Sequence, residues 1–109
     1  MSKAITYTYK GVDYTLEFTR ASVRAMERKG FRPEDIAEKP MTTLPELFKG
    51  AFIAHHPYIK PELVEEMFNR TPHRTELIGK LAELYNEPIN AMMDEPEDSE
   101  ENPTWNATW

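Results

Sequence analysis

Nine prolines in a chain of 109 residues limit how it can fold, because a proline removes a backbone donor and interrupts helices and strands. None lies in the first 32 residues. They occupy positions 33, 40, 45, 57, 61, 72, 88, 96 and 103. This spacing predicts short helices joined by proline-marked turns, preceded by a segment of another kind.

The proline-free N-terminal segment, residues 4–18, predicts a β-hairpin. Apolar or aromatic side chains alternate with polar ones on both sides of Gly11, which suits a tight turn. The alternating residues are Ile5, Tyr7, Tyr9, Tyr14, Leu16 and Phe18. A lone hairpin is marginal in water, so this apolar face must pack on helices or pair with another chain.

The first predicted helix covers residues 20–29. Thr19 is placed to act as its N-cap, and Gly30 is placed to end it. A short helical turn is predicted to follow, with Pro40 closing it.

The next predicted helix has the most apolar stripe in the chain. We expect Thr42 or Thr43 to cap it and the two histidines before Pro57 to lie at its end. A shorter helix is predicted to open at Lys60-Pro61, and a final one to end around Asn86, before Pro88.

The predicted fold is therefore α+β and mostly α. An N-terminal β-hairpin is followed by four or five short helices and a disordered acidic C-terminal tail. We assign residues 1–93 to one globular domain and residues 94–109 to the flexible tail, which we call the acidic arm.

The acidic arm accounts for the whole net charge of −6. It holds six acids, no Lys or Arg, and both tryptophans of the chain, whereas the remaining thirteen acids and all thirteen bases balance in residues 1–93. A segment this polar cannot fold alone, so solvation or docking is its expected role.

Bulk properties argue against several classes of partner. A sequence pI near 5.1 and the acidic arm disfavour nucleic acid, and no apolar run is long enough to cross a membrane. With no cysteine, the chain has neither disulfides nor thiol chemistry, which fits a cytosolic protein.

No residue pattern indicates an enzyme. Adjacent His55 and His56 point in different directions on a helix and lack a third ligand, so we expect His55 on the apolar face and His56 at the helix end. The carboxylates of Glu62, Glu65 and Glu66 are expected on a solvated helix face. We therefore expect no catalytic residue, no metal and no cofactor.

Binding is the better expectation. Leu47, Phe48 and Phe52, with most of the methionines including Met41 and Met67, are assigned to the core, and Met92 and Met93 to a surface beside the acidic arm. The candidate partner-binding residues are Leu47, Phe48, Phe52, Met92, Met93, Trp105 and Trp109.

Two pairs of residues have two interpretations each. Trp105 and Trp109 either fold back onto an apolar groove of the domain or anchor the arm to a partner. Gly50 and Gly79 lie inside predicted helices, where glycine costs about 1 kcal/mol relative to alanine. Either another helix or chain approaches closely there, or the glycines are merely tolerated.

Residues 16–31, 39–68 and 75–92 resemble the tail assembly chaperones of phages and prophages with long, non-contractile tails. The resemblance rests on a run of apolar, Gly and His positions and covers roughly residues 7–92. It implies a non-enzymatic, self-associating protein of the bacterial host cytoplasm that coats the tape measure protein and is absent from the mature virion.

The resemblance also implies two forms, of which the longer arises by ribosomal frameshifting and recruits tail tube subunits. This chain would be the short form, and its acidic arm would lie near the point of divergence. The alternative is a small structural or connector protein that is retained in the virion.

Overall fold

The computed structural model describes residues 3–96 and 99–109, and within them a two-stranded antiparallel sheet precedes five helices. The elements are β1 Ile5–Tyr9, β2 Val12–Leu16, α1 Arg20–Arg28, α2 Asp35–Glu38, α3 Pro40–Gly50, α4 Pro61–Arg70 and α5 Arg74–Ala91. The predicted α+β, mostly α class with an N-terminal hairpin is confirmed. Four residues of the predicted domain and tail, Met1, Ser2, Glu97 and Asp98, lie outside the described residues.

A two-residue turn sets the register of the hairpin. Lys10 and Gly11 have φ values of 50° and 79°, the pattern of a type I′ turn whose twist matches that of the strands. The turn makes Tyr9 and Val12 the closing pair. Because hydrogen-bonded pairs alternate along the ladder, the odd-numbered residues of β1 bond to β2.

The outer edge of β2 is held by the segment that follows α3. The backbone N–H of Thr15 donates to Nε2 of His56 at 3.0 Å, and the N–H of Glu17 donates to the carbonyl of Ala51, also at 3.0 Å. The hairpin is thereby fixed to the helical body along this edge.

The outer edge of β1 is open. The alternation of the ladder turns the backbone groups of Thr6 and Thr8 outward, and both residues are exposed. Within residues 3–96 and 99–109, no hydrogen bond of another element reaches these groups.

Tyr7 joins the inner face of the hairpin to α3 and α4. Its ring meets Phe48 and Phe52 edge-on, with centroids 5.6 and 6.3 Å apart. Its hydroxyl donates to the carbonyl of Met67 at 3.1 Å and lies 2.7 Å from Oγ1 of Thr71. This residue therefore joins apolar packing to hydrogen bonds at the C-terminal end of α4.

Helix α1 begins and ends as its sequence predicts. Thr19 and Ser22 form a capping box, in which each side chain accepts a hydrogen bond from the other residue's backbone N–H. Gly30 follows with a φ of 92°, a conformation that glycine adopts without strain.

Helix α3 begins earlier and ends earlier than predicted. Pro40 starts the helix instead of closing the preceding turn, because proline suits the first helical position, whose N–H has no partner. The N–H of Thr43 already donates to the carbonyl of Lys39, so neither Thr42 nor Thr43 is the cap. The helix ends at Gly50, and tighter i→i−3 turns continue the chain.

The two helical glycines differ in their surroundings. A Cβ on Gly50 would overlap Sδ and Cε of Met26, so α1 approaches α3 closely at this point, as one interpretation predicted. Among the described residues, no atom lies within 4 Å of a Cβ placed on Gly79. The chain itself gives no packing reason for Gly79.

One core joins the hairpin to α1, α3, α4 and α5. Its buried apolar residues are Leu16, Phe18, Val23, Met26, Leu47, Phe48, Ala51, Phe52, Val64, Met67, Leu81, Leu84 and Tyr85. The assignment of Met67 to the core is confirmed, but Met41 is 89% exposed, since the earlier helix start places it on the outer side of the first turn.

Helix α5 runs through Pro88 to Ala91, so its predicted end near Asn86 is wrong. Proline withholds a single N–H from the helix, and regular bonding resumes after it: the N–H of Met92 donates to the carbonyl of Pro88 at 3.1 Å. The last turns therefore extend beyond the buried part of the helix.

Candidate functional site

The C-terminal end of α5 carries an exposed apolar surface. The buried stripe of this helix ends at Tyr85, and apolar side chains continue at helical spacing with Ile89 and Met92. Met92 is 63% and Met93 83% exposed. We call Ile89, Met92 and Met93 the helix-end patch. Its exposure agrees with the predicted surface position of both methionines.

The acidic arm begins directly after this patch. Its described residues include no helix or strand, only a turn around residues 99–102, and none is buried. Trp105 is 88% exposed and Trp109 is fully exposed. The tryptophans therefore do not fold back onto the domain in this structure, and the disorder of the arm and its docking to a partner stay predictions.

Three of the candidate partner-binding residues lie in the core. Leu47, Phe48 and Phe52 are each at most 1% exposed. Phe48 and Phe52 pack edge-on against each other with centroids 5.1 Å apart. These side chains stabilise the fold and, in this conformation, present no surface to a partner.

A cleft of about 610 Å³ opens beside the C-terminal end of α1. Its walls come from α1, α2, α3 and the segment between α3 and α4, and its apolar surface includes Phe31, Ile53 and Ile59. Lys29, Lys39 and Lys49 stand on its rim, and all three are exposed. Sequence reasoning missed this cleft because its residues come from separate segments with no shared pattern.

A second depression of about 340 Å³ lies between the start of α3 and α4. Phe48, Val64 and Phe68 line it, and the exposed Met41 stands beside them. It is shallower than the cleft and offers a smaller apolar surface.

The two adjacent histidines exchange their expected roles. His56 is half-buried against Tyr14, with ring centroids 5.1 Å apart, and it accepts the Thr15 hydrogen bond. His55 is exposed, and its Nε2 lies 2.6 Å from Oε1 of Glu17. The reversal follows from the early end of α3, since the tighter turns after Gly50 rotate these side chains.

One carboxylate of α4 has a specific environment. Glu66 accepts a hydrogen bond from the hydroxyl of Tyr9, and Nζ of Lys10 lies 3.5 Å away. The Tyr9 hydrogen bond and then the Lys10 charge hold the pKa of Glu66 below its usual value, and the same hydrogen bond raises the pKa of Tyr9. An ionised carboxylate is a poor proton donor, so this group ties the hairpin to α4.

The described residues contain no group of three or more His, Cys, Asp or Glu side chains placed to hold a metal ion. Among these residues, no helix has the length and apolar character needed to cross a membrane. Among the described residues, apolar surface is exposed at the helix-end patch, the cleft, the second depression and the two tryptophans, among other places.

Comparison with known proteins gives one result. A family model described as "Domain of unknown function (DUF5055)" matches residues 1–109. No curated protein and no solved structure matches the chain. The chain therefore belongs to the family described as Domain of unknown function (DUF5055).

Proposed function

We propose that this protein is a phage tail assembly chaperone that binds the tape measure protein without catalysing a reaction. The observation that carries the proposal is the helix-end patch. An apolar helix face that continues from the core into solvent is typical of a surface that meets another protein.

The geometry suits a helical client. The apolar stripe of α5 extends to Met92 at the spacing with which one helix packs along another. Methionine side chains are flexible and polarisable, so they adapt to clients whose apolar residues vary along the sequence. A chaperone that must coat a long amphipathic protein needs such adaptable contacts.

The charge distribution suits a protein that is transiently bound. The helix-end patch is followed at once by Asp94 and Glu95, and the acidic arm carries the whole net charge. Net charge keeps small proteins soluble, and it limits non-specific association through the exposed apolar patch while no client is bound.

The remaining parts of the proposal come from the resemblance to tail assembly chaperones. They are cytoplasmic action in the bacterial host, self-association, and recruitment of tail tube protein through a longer frameshifted form. A protein retained in the virion as a connector is the competing function. Mass spectrometry of purified particles distinguishes the two, because a connector is present in stoichiometric amounts and a chaperone is absent.

Co-expression with the tape measure protein of the same phage or prophage tests the proposal. We expect the two proteins to co-purify, and the double variant Met92→Ser/Met93→Ser to lose at least tenfold in affinity. Met41→Ser is the control for loss of an exposed methionine, since Met41 is 89% exposed at the start of α3. Failure to bind any tape measure segment at micromolar concentration, or equal binding by the helix-end variant, would contradict the proposal.

A further inference from the structure

We propose that the cleft between α1, α2 and α3 binds the acidic arm of a second copy of this chain, with a tryptophan of the arm seated on the apolar surface. The inference assigns surfaces to the self-association that is part of the proposed function, and it does not depend on tape measure binding. It rests on the charge and chemistry of the cleft and the arm and on the exposure of the arm's tryptophans.

The charges of the two surfaces are complementary. Lys29, Lys39 and Lys49 stand on the rim of the cleft, and none of them takes part in an ion pair between described residues. Asp35 and Glu46 also line the cleft and Arg32 pairs with Glu34 at 4.0 Å, so the three lysines leave the cleft with a small positive charge. The acidic arm has six carboxylates and no base to meet them.

The apolar parts also match. The cleft has a volume of about 610 Å³ and exposes parts of Phe31, Ile53 and Ile59. Sites of this size accept one large aromatic group together with its neighbouring backbone. Trp105 and Trp109 are exposed, and tryptophan is the residue type most enriched among the anchors of protein interfaces.

The exposure of the arm favours a second copy over the chain's own cleft, since Trp105 and Trp109 lie in solvent and not in that cleft. The radius of gyration is 16.7 Å, against about 13 Å for a compact chain of this length. The long axis of 56 Å compares with 33 and 25 Å for the other two, as expected when the end of the chain extends from the body. An arm on one surface and a cleft on another form a heterologous contact, which builds head-to-tail assemblies.

Tryptophan fluorescence tests the contact, because both tryptophans lie in the arm. We expect solvent-like emission at sub-micromolar concentration. As concentration rises, emission should shift to the blue and acrylamide quenching should fall, in step with an increase in mass measured by analytical ultracentrifugation. Raising NaCl from 50 to 500 mM should weaken the association at least several-fold, since screening acts on exposed charges.

Two variants and their mixture identify the surfaces. Lys29→Glu/Lys49→Glu reverses the rim charge, and Trp105→Ala/Trp109→Ala removes the anchors. Each variant should stay monomeric, and an equimolar mixture should form dimers and nothing larger, because only one functional arm–cleft pair remains. Lys60→Glu/Lys80→Glu, an equal charge change on exposed residues outside the cleft, should associate more than either variant.

Three outcomes would overturn the inference. One is association by the rim and arm variants to the same extent as the unmodified protein. Another is blue-shifted, quencher-protected emission from a monomer at every concentration, which would place the arm in its own cleft. The third is solvent-like emission from a monomer at all concentrations up to about 1 mM, the effective concentration of a short linked partner. Tape measure binding is read separately through the Met92→Ser/Met93→Ser variant, so the two proposals fail independently.

Discussion

Replacing Gly50 by alanine should destabilise the protein, whereas the same replacement at Gly79 should stabilise it. Both glycines lie in helices, so local helix preference alone favours alanine at each position. The structure separates the two because Met26 of α1 approaches Gly50, whereas no atom of the described residues comes within 4 Å of a Cβ on Gly79.

The Gly79 change isolates the helix preference. Its new methyl group meets no atom of residues 3–96 and 99–109 within 4 Å, so the gain is the intrinsic preference for alanine, about 1 kcal/mol. For a domain of this size, that corresponds to a rise in Tm of about 4–8 °C.

The Gly50 change adds a steric cost. The new methyl would occupy the space of Sδ and Cε of Met26, whose side chain is 4% exposed. If Met26 repacks inside the core, overpacking costs about 1–3 kcal/mol. If it swings into the cleft, lost burial costs up to about 1.5–3 kcal/mol. Gly50 is the last residue of α3, so the helix gain is smaller than at Gly79, and the net loss should be about 1–2 kcal/mol.

Urea unfolding followed by circular dichroism measures both variants against the unmodified protein. A Met26→Ala background provides the control, since removing the thioether should make Gly50→Ala neutral or stabilising there. If Gly50→Ala alone stabilises as much as Gly79→Ala, or if its cost persists without the thioether, the close approach of α1 to α3 is not what disfavours a side chain.

Three further predictions concern the hairpin and the helix-end patch. Tyr7→Phe should cost about 1 kcal/mol in urea unfolding, because it removes a half-buried hydroxyl with two partners at the end of α4. The hydrogen bond from Tyr9 lowers the pKa of Glu66 in the folded protein, so the ionised carboxylate stabilises the fold fully above the ordinary carboxyl pKa of about 4.3 and loses this effect as pH falls through the lower folded pKa. The Tm difference between the unmodified protein and Glu66→Gln should therefore shrink from pH 7 to pH 3. A Tm difference that stays constant over this range would refute the prediction. The Met92→Ser/Met93→Ser variant should unfold within about 0.5 kcal/mol of the unmodified protein, because exposed side chains contribute little to the core, and a larger loss would mean that the patch packs within the chain.

Local chemistry determines the parts of the fold that the sequence predicts well. The hairpin follows from strict alternation around Gly11, whose positive φ the turn requires. Helix α1 follows from the reciprocal hydrogen bonds of Thr19 and the left-handed Gly30. In each case, a few neighbouring residues contain the whole physical cause.

The errors arise where two local signals compete. Pro40 can end one helix or begin the next, and Thr42 and Thr43 can cap a helix or continue it. The structure resolves this with the helix start at Pro40, which also places Met41 in solvent. Pro88 wrongly predicts the end of a helix, because α5 loses one hydrogen bond at this proline and continues to Ala91.

The surface is harder to predict than the fold. Phe48 and Met92 are both apolar residues at helical spacing, yet one is buried and the other 63% exposed. They differ because Met92 lies beyond the part of α5 that other elements cover, and how far that cover extends depends on tertiary packing. The rim lysines of the cleft lie at the end of α1 and at the two ends of α3, so the packing of these helices brings them together.

The open outer edge of β1 has a consequence for how copies of the protein avoid stacking into a continuous sheet. Two such edges can pair antiparallel about Tyr7, with Thr6 of one strand opposite Thr8 of the other. That register places Lys10 of each copy opposite Ala4 of its neighbour and one residue from Lys3, so each end of the joined strands would hold two lysine side chains with their partners Glu66 and Glu87. A five-residue strand with a lysine beyond each end thus discourages edge-to-edge aggregation while leaving its backbone accessible.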